Sequence, residues 1–267
     1  MSNCLDLTPS EVSAFQELLG LIDWTPTEAN LTQIVRTSLA LVPFTNIVML
    51  ARPRMPPSRD EIVEDMLSKR GGPCGHYNPF IASFLHALGF DCYLVPAWMG
   101  AVLSHIAVVV NLDERKFWLD CGNGHAYLTP LEMTHMNSTV HAGLEYSIRE
   151  SSGGMYHIHH KRDGDDDHVL NYSFLDEPVG LDYFEDMVRQ HYTEASFGPF
   201  LNGLRLVHFP CGELFAIRDF DLLFTVGGEL NKQRFSTADE LRSAVCLGFP
   251  DQNYPLDIAL EVLGWGV

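Results

Sequence analysis

The hydrophobic pattern of this chain changes its period near residue 90, and this change restricts the fold more than any other feature of the sequence. Before it, the capping-box patterns Thr8–Glu11 and Ser58–Glu61 each introduce apolar residues at helical spacing. After it, Cys92–Trp98, His105–Leu112 and Arg115–Cys121 are rich in the β-branched and aromatic residues typical of strands. Helices that precede a run of strands predict the α+β class, with a helical bundle followed by a sheet.

The remainder of the chain contains further strands and a small mixed segment. Strand patterns follow at Glu145–Arg149, Tyr156–His160 and Val169–Phe174. After about Tyr192 the pattern mixes again, and Thr237–Leu247 opens with a third capping-box pattern and predicts a helix. The strands predicted before that helix are Leu204–Phe209, Glu213–Arg218 and Leu222–Val226.

The charge balance argues against several classes of partner. With 35 acidic residues against 17 Lys and Arg, the formal net charge is −18, which disfavours nucleic acid or an anionic membrane surface. An anionic substrate would need a local cluster drawn from those 17 basic residues. No apolar run is long enough to span a bilayer, and the segment starting at Met1 lacks the basic and apolar regions of a signal peptide. We therefore expect a cytoplasmic protein that does not act at membranes.

One of the six cysteines, Cys74, stands in an unusual context. The stretch K-R-G-G-P-C-G-H-Y-N, from Lys69 to Asn78, places it after two glycines and a proline, at or near the start of a predicted helix. A helix N-terminus favours a thiolate, which makes Cys74 a candidate nucleophile. Pro79 leaves two alternatives: the helix starts at Cys74 with a distorted first turn, or it starts at Pro79 with Asn78 as its cap. No cysteine has metal-ligand spacing, so we expect reduced thiols and no metal site.

A predicted hairpin places a histidine beside an acid. If its turn is centred on Asp113-Glu114, an even-length loop pairs His105 with Gly122. His105 and Asp120 are then diagonal neighbours on one face, roughly 7–8 Å apart at the backbone. An odd-length loop would shift the register by one residue and separate them. Cys74, His105 and Asp120 would form a triad of nucleophile, base and acid if the helical bundle packs on this face, although a lone cysteine or strand histidine more often only fills space.

Several segments resemble the motifs of one enzyme family, the arylamine N-acetyltransferases. The stretch around Cys74 resembles their R-G-G-x-C-x-E-x-N signature, and Val42–Asn46 (V-P-F-T-N) resembles their V-P-F-E-N segment. Ser104–Val110 is similar to the strand with their catalytic histidine, and Trp118–Gly124 is similar to the V-D-x-G-F-G segment with their catalytic aspartate. Two later segments also fit, so the resemblance covers nearly the whole chain: Asn171–Phe174 and Gly212–Arg218.

The resemblance implies an α+β fold of three domains: a helical bundle over residues 1–89, a β-barrel over 90–191 and an α/β lid over 192–267. It implies that acyl transfer is carried out by Cys74, His105 and Asp120. It also implies substrate-binding roles for Phe44, Arg70, His76, Gly122, Asn123 and Gly124. No bound cofactor is implied. Acyl-CoA, by default acetyl-CoA, would be a co-substrate, and a small-molecule amine would be the acceptor.

Three positions depart from the family pattern. His76 stands where the family has Glu, Thr45 stands where it has the Glu of P-F-E-N, and Asn123 stands where it has Phe. Arg70 would thereby lose carboxylate partners, so it either pairs elsewhere or is free to meet an anionic substrate. Replacing an aromatic ring by an amide removes a stacking surface and adds hydrogen-bonding capacity.

The sequence thus predicts an N-acyltransferase that takes an acyl group from a thioester onto Cys74 and passes it to an amine. Three alternatives stay open. The first is an amide synthase of natural-product biosynthesis whose acyl donor is a thioester on an acyl carrier protein. The second is a cysteine hydrolase of the amidase type, and the third is a non-catalytic binding protein. They differ in whether a thioester labels Cys74 and in whether release of the acyl group requires an amine.

Overall fold

A computed structural model describes residues 5–20, 22, 24–162, 164–249 and 253–265. The described residues form eight α-helices: α1 (Pro9–Leu19), α2 (Glu28–Leu41), α3 (Ile47–Ala51), α4 (Arg59–Leu67), α5 (Cys74–Ala87), α6 (Glu185–Thr193), α7 (Ala238–Gly248) and α8 (Leu256–Val262). They also form thirteen β-strands: β1 (Phe44–Thr45), β2 (Asp91–Met99), β3 (Val102–Leu112), β4 (Arg115–Leu119), β5 (Leu131–Glu132), β6 (Met136–His141), β7 (Leu144–Glu150), β8 (Met155–Arg162), β9 (Val169–Leu175), β10 (Arg205–His208), β11 (Phe215–Arg218), β12 (Asp221–Val226) and β13 (Glu229–Arg234). Helices α1–α5 precede strands β2–β9, which confirms the predicted α+β class.

Side-chain caps define where several helices begin. The capping boxes predicted at Thr8 and Ser58 are both present. In each, the hydroxyl accepts a hydrogen bond from the N–H of the Glu three residues on, and the carboxylate of that Glu accepts one from the N–H of the capping residue. At α7 the Thr237 side chain also caps the helix. The Glu240 carboxylate, however, accepts its bond from the N–H of Ser236, one residue further out. The third predicted capping box is therefore only half formed.

Eight strands form one antiparallel sheet in the order β5-β4-β3-β2-β9-β8-β7-β6. The two edge strands, β5 and β6, are in contact, so the sheet almost closes into a barrel. Helix α5 packs against β2 and β3. Phe80 and Phe84 of α5 are fully buried in the same apolar core as Val108 and Trp118 of the sheet. The first helices and the barrel therefore share one core, and that core fixes α5 against β3.

The β3–β4 hairpin has the register that the sequence predicts. Its turn is Asp113-Glu114, with φ angles of 50° and 61°, which two-residue hairpin turns of type I′ require. The ladder runs from Leu112 paired with Arg115 to Val108 paired with Leu119. Strand β4 ends at Leu119, so the following aspartate lies just past the ladder.

A second sheet has the order β1-β10-β11-β12-β13. Its first strand, β1, follows the end of α2, and Phe44 of β1 pairs with Val207 of β10. This two-residue strand is too short to show a strand pattern in the sequence, and its partner is distant in the chain. The pairing also links the segments 1–89 and 192–267, and the division into three domains remains a prediction. None of the described helices combines the length and apolarity needed to cross a bilayer.

Candidate active site

Cys74 is the first residue of α5, and Pro73 is the residue that caps the helix. Two N–H groups of the first turn donate to the Pro73 carbonyl oxygen, at 2.9 and 3.0 Å. Pro79 lies inside the helix, so of the two predicted alternatives the helix starts at Cys74, and Asn78 is not a cap. Cys74 is 3 % exposed. Its sulfur therefore lies at the positive end of a fourteen-residue helix.

His105 and Asp120 form a buried hydrogen bond, with 2.7 Å between Nε2 and Oδ2. The Cys74 side chain interacts electrostatically with the His105 ring, so the three predicted triad side chains lie together. Burial by itself would lower the pKa of His105, but the charge of Asp120 and the interaction with Cys74 raise it to about 10. This environment favours the protonated form of the ring.

Four donors hold the buried Asp120 carboxylate. Oδ1 accepts from Asn78 Nδ2 at 2.8 Å and from the N–H of Gly122 at 3.0 Å. Oδ2 accepts from the Tyr172 hydroxyl at 2.7 Å, beside its bond to His105. Charge-assisted hydrogen bonds of this kind offset the cost of burying a carboxylate. The aspartate is fixed in one orientation, and so is the histidine that it holds.

Asn78 connects the helix to the hairpin. Its Nδ2 donates to the carbonyl of Ile106 at 2.6 Å as well as to Asp120. Its Oδ1 accepts from the N–H groups of Cys121 and Gly122, at 3.0 and 3.1 Å. From the sequence we expect Asn78 only as a possible helix cap, although it is the final Asn of the signature around Cys74. Tyr172 received no predicted role, although it lies in the Asn171–Phe174 segment that fits the family.

Two predicted site glycines lie where a side chain would not fit. A Cβ atom on Gly122 would be 2.7 Å from the Cα of Cys74. Gly124 has a φ of 78°, and a Cβ atom there would be 2.9 Å from the ring of Phe44. Because glycine has no Cβ atom, the segment 122–124 can lie close to Cys74 and to Phe44.

A cavity of about 420 Å³ adjoins the triad. Phe44, Ser104 and Asn123 are among the residues that line it, and Ser104 immediately precedes His105. Asn123 Nδ2 is 3.5 Å from His105 Nε2, and Asn123 Oδ1 accepts a bond from Asn171 at 3.0 Å. Other lining residues come from α6 and the loop after it: His191, Phe197 and Phe200. The volume is that of a small-molecule site.

His76 and Arg70 lie elsewhere, around the buried Asp65 of α4. Arg52 binds both oxygens of Asp65, at 2.5 and 2.7 Å, while His76 Nε2 is 3.6 Å and Arg70 Nε 3.4 Å from it. Burial by itself would raise the pKa of Asp65, but hydrogen bonds with His76 and Arg52 lower it below its ordinary value. Tyr192 donates or accepts a bond at His76 Nδ1, at 3.3 Å. Arg70 therefore pairs elsewhere, and substrate-binding roles for it and for His76 stay predictions.

The chain is similar in sequence to known proteins of one family. A family model described as N-acetyltransferase matches residues 28–245. Arylamine N-acetyltransferase 1 of Mus musculus is 24 % identical over 139 residues, which are 48 % of this chain and 48 % of that protein. The chain thus spans about half the length of this curated relative.

Solved structures of the same family are similar over almost the whole chain. The arylamine N-acetyltransferase of Mycobacterium abscessus has a TM-score of 0.83 and 18 % identity, covering 95 % of this chain and 94 % of its own. That of Mycobacterium marinum in complex with CoA has a TM-score of 0.83 and 14 % identity, covering 96 % and 100 %. These likenesses confirm the predicted arylamine N-acetyltransferase-like α+β fold. Because the family model matches well over half of the residues, the chain belongs to the arylamine N-acetyltransferase family.

Proposed function

We propose that this protein is an N-acyltransferase that moves an acyl group from a CoA thioester to Cys74 and then to an amine. The main support is the buried array of Cys74, His105 and Asp120, in which Asp120 hydrogen-bonds to the ring of His105 and Cys74 interacts with the same ring. In such an array the acid orients the base and the base activates the nucleophile. Burial would lower the pKa of His105, but Asp120 and Cys74 raise it to about 10, which supports a protonated ring that can pair with a Cys74 thiolate in the resting enzyme.

In the first half-reaction the Cys74 thiolate attacks the carbonyl carbon of the thioester. The N–H groups of Cys74 and Gly75, at the start of α5, have no partner within the helix and are suited to stabilise the oxyanion. The bond between the acyl carbon and the CoA sulfur then breaks, and the leaving thiolate takes the proton of the His105 imidazolium. The products are S-acyl-Cys74, a neutral His105 and CoA with a free thiol.

In the second half-reaction the amine attacks the acyl carbon of S-acyl-Cys74. Neutral His105 accepts the proton that the amine nitrogen loses, and Cys74 leaves as a thiolate. The amide is released and the imidazolium–thiolate pair is restored. Water competes with the amine for the acyl-enzyme, and the low exposure of Cys74, 3 %, limits this competition.

The comparisons support a CoA thioester, with acetyl-CoA as the default donor, because the Mycobacterium marinum relative is described in complex with CoA. A donor on an acyl carrier protein fits less well, since such carriers are often acidic and this chain has a net charge of −18. The acceptor is a small-molecule amine. Asn123, where the family has an aromatic residue, favours an acceptor with hydrogen-bonding groups. The cytoplasmic location expected from the sequence remains a prediction.

Intact-protein mass spectrometry after mixing with acetyl-CoA and other acyl thioesters tests the proposal. The native protein should gain one acyl mass, and Cys74→Ala should gain none. Cys121→Ala is the matched control, because this second buried cysteine lies beside Asp120 and burial raises the pKa of its thiol far above the ordinary value. The control should be labelled like the native protein. Equal labelling of Cys74→Ala would end the assignment of the nucleophile.

The labelled enzyme also separates the remaining alternatives. Loss of the acyl group only when an amine is added supports the transferase. Loss at the same rate without amine would identify a hydrolase. If no thioester labels the native protein, the binding-protein alternative replaces the proposed function.

A further inference from the structure

The cavity beside the triad has an unusual charge for this protein. Although the chain has 35 acidic residues and a net charge of −18, the charged residues that line this cavity are two arginines, Arg205 and Arg218. The rest of its lining is apolar, amide, hydroxyl or imidazole in character. Two of the chain's 17 basic side chains are thus placed together at a cavity that adjoins His105 through Asn123.

The two arginines are direct neighbours across β10 and β11. Their Cα atoms are partners in the antiparallel ladder, which places both side chains on the same face of the sheet. Like charges directly opposite each other destabilise a strand pair. The pairing of two cations therefore requires a compensating negative group, from the fold or from a ligand.

The two guanidinium groups are only partly compensated within the described residues. Arg205 Nη1 donates to Asp219 Oδ1 at 2.7 Å, but its buried Nε has no hydrogen-bond partner. Arg218 is exposed and forms no ion pair with a described carboxylate. The carboxylate opposite Arg218 in the next strand pair, Asp221, is instead held by Lys232 at 2.9 Å and by Arg234. Some N–H donors of the two guanidinium groups are thus left available to a ligand at the cavity rim.

The electrostatics of a neighbouring histidine agree with this arrangement. His125 also lines the cavity, and its buried Nδ1 has no hydrogen-bond partner. Burial first, and then the positive charges of His160, Arg162 and Arg218, lower the pKa of His125 well below its ordinary value. Basic groups are thus gathered around this part of the rim, even though the whole molecule is strongly acidic.

We propose that Arg205 and Arg218 bind an anionic group, a carboxylate or a phosphate, of a substrate that occupies this cavity. Guanidinium groups suit this task because their planar set of N–H donors matches the oxygens of carboxylates and phosphates. The anion is carried either by the amine acceptor or by the acyl donor, and this step rests on the proposed acyl transfer. Arg205 and Arg218 then determine specificity and take no part in the chemical steps.

Equilibrium binding tests the proposal without requiring turnover. Isothermal titration would compare two probe pairs whose members differ in charge: 4-aminobenzoate with 4-aminobenzamide, and 4′-phosphopantetheine, a fragment of CoA, with pantetheine (the CoA pair). The native protein should prefer the anionic member of at least one pair, and Arg218→Gln should weaken its binding about tenfold, the scale of one charge-assisted hydrogen bond. Arg54→Gln, at an exposed arginine between α3 and α4, is the matched control and should bind both members like the native protein.

The pair that responds identifies the source of the anion. A response confined to the aminobenzoate pair assigns it to the acceptor, and a response confined to the CoA pair assigns it to the donor. Arg218→Gln should unfold at the same temperature as the native protein or a higher one, because it removes a like-charge pair. Equal binding of charged and neutral members, or equal losses for both in Arg218→Gln, would overturn the proposal. A protein that no thioester labels but that keeps the anion preference would refute only the acyl transfer.

Discussion

Asn78 is the residue whose removal gives the sharpest test of how this site is built. Its side-chain amide forms four hydrogen bonds at once, to the carbonyl of Ile106, to Asp120, and from the N–H groups of Cys121 and Gly122. The residue is fully buried, so Asn78→Ala leaves these groups without water to replace the amide. At about 1 kcal/mol for each net hydrogen bond, the substitution should lower the free energy of unfolding by about 4 kcal/mol.

Ser83→Ala provides a matched comparison on the same helix. Ser83 is also buried, but its hydroxyl makes two hydrogen bonds, to the carbonyl of Pro79 and from the N–H of Leu5. Its removal should cost about 2 kcal/mol by the same reasoning. Denaturant unfolding of both variants and the native protein gives the two differences directly. A loss for Asn78→Ala no larger than that for Ser83→Ala would refute the four-bond account.

The two variants should differ even more in activity. Asn78→Ala removes one of the two donors to Oδ1 of Asp120 and the side-chain hydrogen bonds between α5 and the hairpin, so the separation of His105 and Cys74 is less well fixed. The rate of acyl-enzyme formation should fall on the order of 100-fold, as expected when reacting groups are misplaced by about 1 Å. Ser83→Ala should keep a rate close to that of the native protein. Equal rates in the two variants, measured where both are folded, would show that Asn78 does not position the triad.

Three further predictions concern pH, a buried charge and a close contact. Folding raises the pKa of His105 from 6.5 to about 10, so the stability that its protonation contributes is complete below pH 6.5 and is lost as pH rises through 10. Denaturant titrations at several pH values should show that the free energy of unfolding falls more steeply with pH in the native protein than in His105→Gln. Equal dependence on pH in the two proteins would contradict this. Asp65→Asn weakens the two charge-assisted hydrogen bonds between a fully buried carboxylate and the partly buried Arg52, and should cost about 2–3 kcal/mol of unfolding free energy, against less than about 1 kcal/mol for the exposed Asp60→Asn. Gly122→Ala should slow acylation on the order of 100-fold, because its Cβ would meet the backbone of Cys74 at 2.7 Å, and an unchanged rate would be the contrary result.

Local interactions explain what the sequence could predict. The capping boxes at Thr8 and Ser58 involve residues three positions apart, and the Asp113-Glu114 turn fixes the hairpin register from its own two residues. Once that register is set, the distance between His105 and Asp120 follows from strand geometry, and the structure has the expected contact. These parts of the site could be predicted from the sequence because each depends on a short stretch of chain.

Contacts between distant segments explain what the sequence could not predict. The position of the His76 side chain does not follow from the motif around Cys74, because it depends on Asp65, which lies on another helix. The four bonds of Asn78 likewise require the hairpin to dock on α5. Such arrangements depend on tertiary packing, so a one-dimensional pattern identifies the residue type but not its neighbours.

The pairing of β1 with β10 has a consequence for when the protein becomes active. Phe44 contacts both Val207 and Gly72, so the strand that supports the loop before Cys74 depends on chain that is synthesised after all three triad residues. A ribosome-bound chain that ends before β10 already contains Cys74, His105 and Asp120, yet lacks this support. If the proposed acyl transfer holds, thioester cleavage by the incomplete chain is therefore disfavoured, and the reactivity of the thiol would report that translation has passed β10.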